Sequence, residues 1–165
     1  MDFDATFQRL YPALFRYLQR LTGDADVAQD IAQESFVRLL RQRLPEHEVR
    51  PWVFTVATNL VRDAARSSER RRRLLSGRYT PPQRATRPDE QAERIERIES
   101  VRNVLDRLPE RDRQLLLLRE EGFSYKEIAQ TVDVAPGSVG TLIARALKKF
   151  ARLYEAREAE DESHD

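Results

Sequence analysis

The sequence predicts an all-α protein: two small helical domains joined by a flexible linker, the second a helix-turn-helix. Three observations carry this. Apolar residues recur at three-four spacing along most of the chain, and no stretch alternates as a strand would. That period is lost over residues 76–88, where Gly77, Pro81, Pro82 and Pro88 stand among Ser, Thr, Gln and Arg, the composition of an exposed tether. Residues 108–154 read as helices across a short turn, the last of them basic. The implied organisation is a helical domain over residues 1–75, a linker over 76–90, a helix-turn-helix domain over 91–155 and an acidic tail over 156–165.

Each element has a local reason. Phe3, Phe7, Leu10, Tyr11, Leu14, Phe15, Leu18 and Leu21 form one apolar stripe, with a kink or restart expected at Pro12. Thr22-Gly23-Asp24 supplies a stop and a new cap. The next helix is expected over residues 25–43, with Val27, Ile31, Phe36, Leu39 and Leu40 mostly inward, ending at Leu44-Pro45. A third is expected from about Pro51, a favourable first-turn residue, with Trp52, Val53, Val56, Ala57, Leu60, Val61 and Ala64 along it. Helical character returns near Asp89 with Ile95, Ile98, Val101, Val104, Leu105 and Leu108. Then come an apolar helix over 114–119, a break at Gly122, a short helix over 124–131, a turn over 132–135 and a longer helix over 136–154. The strongly acidic stretch 155–165 is expected to fray.

Composition narrows the function classes. The chain has 165 residues, 40% hydrophobic and 35% charged, which is the make-up of a folded protein with a large polar surface. The net charge of +1 conceals basic and acidic stretches that cancel. With no cysteine there is no disulfide or thiolate metal site, and a reducing compartment fits. The two histidines, His47 and His164, lie far apart, which argues against a histidine metal site, and no cofactor is expected. No apolar run reaches membrane-spanning length and the start of the chain lacks a signal-peptide core, so the expected location is the cytoplasm, without membrane insertion.

Three charged surfaces stand out. On the last helix, Val139, Leu142, Ile143, Ala146, Leu147, Phe150 and Leu153 form the expected inward stripe, while Gly137, Gly140, Thr141, Ala144, Arg145 and Lys148 share the opposite face. Small side chains let a backbone approach a DNA groove, Arg145 suits a guanine edge, and Lys148 or Lys149 suits a phosphate. Ser138 and the free N–H groups of the first turn suit a phosphate as well. On and beyond the third helix, Asn59, Arg62, Arg66, Ser67, Ser68, Arg70 and Arg71 combine cations with hydrogen-bonding groups, and six Arg against two acids from Arg62 to Arg73 make a local positive field. Such a surface suits an unpaired strand, whereas Trp52 is expected to be a core anchor. On the second helix, Asp26, Asp30, Gln33 and Glu34 show acids and amides that DNA would repel, so a protein with a basic surface is the expected partner. With no nucleophile, histidine or phosphate loop beside them, these carboxylates do not make a catalytic site, and the protein is not expected to be an enzyme.

Four strings now support a family resemblance: Leu10-Tyr11-Pro12; Ala28-Gln29-Asp30-Ile31-Ala32-Gln33-Glu34-Ser35-Phe36; Trp52 with Ala57-Thr58-Asn59, Asp63 and Arg66; and Leu108-Pro109-Glu110-Arg111 with Gly122-Phe123-Ser124-Tyr125-Lys126-Glu127-Ile128-Ala129. In this order and spacing the chain resembles the sigma-70 family of RNA polymerase initiation factors, specifically the small extracytoplasmic-function group. The resemblance implies that Asp26, Asp30, Gln33 and Glu34 dock on the polymerase clamp helices. It implies that the third helix, with Asn59 and the loop from Ser67 to Arg70, holds a flipped-out base of the minus-ten promoter element. It further implies that Tyr125, Lys126, Ser138, Gly140, Thr141, Arg145 and Lys148 face the minus-35 element, that the C-terminal domain contacts the polymerase flap, and that an anti-sigma factor is a common partner. The run Gly137-Ser138-Val139-Gly140-Thr141-Leu142 lacks two basic residues frequent there, so weaker base readout is expected. The alternatives are a stand-alone helix-turn-helix regulator and a polymerase-binding decoy that no longer reads DNA.

Overall fold

In the computed structural model, which describes residues 1–74 and 89–165 with side chains outside 68–74 and 89–90, the described residues form seven α-helices. The first, α1 (Phe3–Thr22), starts where the Asp2 side chain accepts the Ala5 N–H and stops at Gly23, whose φ of +74° is open to glycine at little cost. Asp24 then caps the next helix, α2 (Ala25–Leu39), accepting from Asp26 and Val27. The third helix, α3 (Glu46–Leu74), is the longest.

Three local expectations need correcting. Helix α1 runs through Pro12 without a restart. Proline at this position frees the carbonyl of Gln8, and both residues are exposed, so water satisfies it. Helix α2 stops at Leu39 rather than near residue 43. There the Arg41 and Gln42 N–H groups bond to Arg38 and Leu39, tightening the last turn ahead of Leu44-Pro45. Helix α3 starts five residues before Pro51. The absent Pro51 N–H would have paired with His47, which is exposed, so one bond lost near the helix start is tolerated.

In the second half lie α4 (Asp89–Arg107), α5 (Glu110–Glu120) and α6 (Tyr125–Val132), then a 3₁₀ turn (Pro136–Ser138) and α7 (Val139–Glu162). Gly122, at φ +86°, makes the sharp break before α6. Ser124 and Glu127 form a reciprocal capping box at its start. Two more expectations change here. Helix α7 continues through the acidic stretch to Glu162 instead of fraying after Tyr154. Its Ala and Glu residues are strong helix formers, and Arg157 lies 3.9 Å from Asp161 one turn on. Leu147 is not part of the inward stripe; it is 53% exposed, because the buried row runs through Val139, Ile143 and Ala146. The expected linker, apart from its last two residues, lies outside the described residues.

The two halves share one apolar core. Leu14, Leu18, Ala32, Phe36, Val53 and Phe54 belong to the same cluster as Leu115, Leu118, Phe123 and Ile128. Helix α1 packs on α5, and α3 packs on α6. At the seam, Phe123 lies 4.7 Å from the Phe54 ring, and the Arg50 guanidinium lies 3.9 Å above Phe123. Arg50 also donates to the Glu121 carbonyl. The Glu121 carboxylate, whose side chain is 5% exposed, accepts two bonds from Arg16 at 2.9 and 2.7 Å. That bonding raises the pKa of the Arg16 guanidinium, with the Glu121 charge adding to it. The Thr55 and Thr131 hydroxyls meet at 2.8 Å. At the far end, Arg102 donates to the carbonyls of Gln19 and Arg20, and Arg113 donates to that of Leu21 at 3.3 Å. Two cations thus close the negative end of α1. Glycine is favoured there by its φ of +74°, and a Cβ would fall 2.0 Å from the Arg102 guanidinium and displace it.

Two measurements check this construction. Ser124→Ala removes half of the capping box and should cost about 1 kcal/mol in denaturant unfolding, with the m-value unchanged. A double-mutant cycle on Arg16→Ala and Glu121→Ala should return a coupling of roughly 1–2 kcal/mol, above that of an ordinary surface ion pair, because the carboxylate is buried and held in two places.

Candidate nucleic-acid interface

Helix α7 carries the first candidate surface. Its apolar row fixes the rotation of the helix, which leaves Thr141, Arg145 and Lys148 exposed on the outer side. Lys149 is tied to Asp112 at 2.9 Å. Of the two lysines considered for a phosphate, Lys148 is therefore the one without a carboxylate in ion-pair reach among the described residues. Ser138 makes no side-chain capping bond, so its exposed hydroxyl stays available, whereas the N–H groups of Ser138 and Val139 are taken up by the carbonyls of Ala135 and Pro136 in the preceding 3₁₀ turn. Gly140 is half-buried, and a Cβ there would sit 3.4 Å from the Tyr125 ring. Tyr125 is 40% exposed, with the Arg119 guanidinium 5.0 Å from its ring centre, and Lys126 beside it is exposed.

Helix α3 carries the second. Val49, Val53, Phe54, Ala57 and Val61 hold one face in the core, and Trp52 packs half-buried against it. The Tyr17 hydroxyl reaches across to Thr58 at 2.7 Å inside that core. Burial raises its pKa beyond the usual phenol range, so it stays a neutral structural bond. The opposite face presents Asn59, Arg66 and Ser67 to solvent, while Arg62 is half-buried. Arg62 lines a cleft of about 230 Å3 between the two halves, with Glu110, Arg111, Gln114, Val132 and Asp133. The side chains of Ser68, Arg70 and Arg71 lie outside the described residues.

The third surface is on α2. Ala28, Ile31, Ala32, Ser35, Phe36 and Leu39 face inward, which puts Asp26, Asp30, Gln33 and Glu34 outside, all exposed. Glu34 pairs with Arg38 at 3.0 Å along the same helix. The Asp24 side chain, also exposed, is engaged in the cap of α2. Among the described residues no group of three or more His, Cys, Asp or Glu could hold a metal ion, and no helix is long and apolar enough to cross a membrane. Reasoning from sequence missed Arg16, Arg50, Thr55 and Glu121. Each looks like an ordinary surface residue until its partner in the other half is known.

Known proteins match this arrangement in both halves. The family model "Sigma-70 region 2" matches residues 6–71, and "Sigma-70, region 4" matches residues 98–150. The chain is 32% identical to the ECF RNA polymerase sigma factor EcfG of Rhodopseudomonas palustris over 91% of its own length and 83% of that relative. The chain belongs to the extracytoplasmic-function sigma factors of the sigma-70 family. Another member, SigL of Mycobacterium tuberculosis, is 30% identical over 82% of the chain and 78% of its own length. Among solved structures, the sigma factor RpoE of Bartonella quintana, in complex with the anti-sigma factor NepR, shares the fold. Its TM-score is 0.72 at 21% identity, covering 93% of this chain and 97% of the other. CnrH, solved with the cytosolic domain of CnrY, gives 0.63 at 24% identity, covering 93% and 88%.

For this sigma factor, the α7 geometry sets an expectation for the turn. Gly140→Arg would add a cation near the start of α7, with its Cβ at an ordinary contact distance of 3.4 Å from the Tyr125 ring. The variant should gain duplex-DNA affinity without losing stability, since glycine is the weaker helix former by about 0.5–1 kcal/mol, read by fluorescence anisotropy and thermal unfolding.

Proposed function

We propose that the protein binds core RNA polymerase through the exposed acidic face of α2 and directs initiation at a promoter it reads in two places. The observation that carries this is the separation of the surfaces. The acids and amides sit on α2, the DNA-facing cations sit on α3 and α7, and both sets are outside the core in a chain of the sigma-70 family. Asp26, Asp30, Gln33 and Glu34 would dock on the clamp helices, and the second half would contact the flap. Asn59, Arg62, Arg66 and Ser67, continued by Ser68, Arg70 and Arg71, would take the minus-ten element. Tyr125, Lys126, Ser138, Gly140, Thr141, Arg145 and Lys148 would lie along the minus-35 element.

No covalent step belongs to the protein in this reading, and it is not an enzyme. Melting follows from binding: each unstacked base step costs roughly a few kcal/mol, offset by contacts to the exposed strand. With Gly140 and Leu142 in the first turn of the reading helix, minus-35 recognition leans on Arg145, phosphate contacts and DNA shape. One similar fold was solved with an anti-sigma factor, and an anti-sigma factor is proposed as a partner here too. The proposed location is the cytoplasm, where polymerase and promoter DNA are.

Transcription in vitro with purified core polymerase tests the reading. The wild-type chain should bind core and start transcripts at a selected promoter; binding duplex DNA without core, and giving no such transcript, would make it a stand-alone regulator. Asp30→Arg should weaken core binding at least tenfold with the helical signal unchanged. Arg145→Ala should lose roughly 1–3 kcal/mol of discrimination at the upstream element and leave minus-ten preference as it was.

A further inference from the structure

Four cations stand close together on α7. Arg145, Lys148, Lys149 and Arg152 fall within two turns of the helix, and all four are exposed. Among the described residues, Lys149 alone of the four has a carboxylate in ion-pair reach. Its Nζ lies 2.9 Å from the Asp112 Oδ2, and the bond ties α7 to the first turn of α5. Lys148, one residue earlier and equally long, has no such partner.

The two ends of this bond are unlike. The Lys149 side chain is 52% exposed, whereas that of Asp112 is 11% exposed. The carboxylate sits where the dipole of α5 favours an anion, after a residue, Pro109, that supplies no side-chain cap. Asp112 is thus a fixed part of α5, and the longer, more exposed lysine reaches to it. A carboxylate oxygen at 2.9 Å occupies the position that a phosphate oxygen would take against the same ammonium. We propose that Asp112 withholds Lys149 from DNA and so limits the sequence-independent part of the grip of α7 on a duplex. This rests on the sigma-factor reading above, in which α7 lies along the minus-35 element. Phosphate contacts hold any sequence alike. With one cation withdrawn, the hold on duplex DNA is weaker, and a larger share of it falls on base contacts such as that of Arg145.

Salt dependence tests this directly. Each neutralised phosphate adds about 0.9 to the slope of log affinity against log salt. The measurement is binding of a promoter fragment by the complex with core polymerase, read by fluorescence anisotropy over a salt series. Asp112→Asn keeps the shape of the side chain; it should steepen the slope by about 0.9 and tighten binding roughly threefold at low salt. The gain should be equal on fragments with altered minus-35 bases and absent on a fragment cut downstream of that element. Lys149→Gln should leave the wild-type slope unchanged yet abolish the gain in the Asp112→Asn background, a pattern that a merely structural role for Asp112 would not give. An Asp112→Asn slope equal to that of wild type, or weaker binding, overturns the proposal. So does a shallower slope for Lys149→Gln alone, which can be read even if Asp112→Asn fails to fold. If the wild-type chain starts no transcript with core polymerase, the sigma-factor reading fails separately. The same salt series on the chain alone with the duplex then decides between these outcomes, and a chain that binds no duplex in either form overturns the proposal too.

Discussion

The placement of the functional surface on the second half depends on one turn. Gly122 reverses the chain between α5 and α6, which puts a charged residue, Glu121, and an aromatic one, Phe123, side by side facing the first half. Arg50 satisfies both at once, its plane over the Phe123 ring and its donor on the Glu121 carbonyl. A planar guanidinium is suited to this double use in a way that a lysine ammonium is not. The apolar contact between Phe54 and Phe123 supplies burial, and the arginines supply direction. With the turn seated, the rotation of α6 is set, Tyr125 is brought against Gly140, and the outer face of α7 follows.

Charge is divided by helix rather than by domain. The first half carries both the acidic α2 face and the basic α3 end, and the second half carries the basic α7 face followed by an acidic continuation of the same helix. A net charge of +1 is therefore the sum of opposed fields. An acidic face on α2 keeps that helix from lying on DNA and leaves it to a protein. The acidic end of α7 is helical to Glu162 and carries its negative charge along the helix beyond the reading face.

Most of the fold was legible because most of its signals are local. Gly23, Asp24 and the Ser124/Glu127 pair mark helix ends through bonds spanning three or four residues. The prolines mislead for a physical reason: Pro12 and Pro51 each free an exposed carbonyl, so neither the restart expected at the first nor the helix start expected at the second is needed. The acidic stretch after Tyr154 reads as disordered by charge and helical by propensity, and propensity with an Arg157–Asp161 contact prevails. The spacing of Leu147 fits a broad inward stripe, whereas the real contact row is narrower. On the candidate site, the outward position of Asp26, Asp30, Arg145 and Lys148 followed from periodicity. The half-burial of Arg62 did not, since it depends on the other half. Arg16 and Glu121 are 105 residues apart, and nothing around either one points to the other.

The absence of covalent or metal staples at the seam has an evolutionary side. Each contact there is worth a modest energy, and about 1.4 kcal/mol changes an equilibrium tenfold. The seam residues Arg16, Thr55 and Thr131 are separate from the outward residues of α2 and α7, and substitutions at distant sites act nearly independently. A lineage can therefore retune how firmly the halves hold together by single replacements in the seam, while the outward faces of α2 and α7 stay the same.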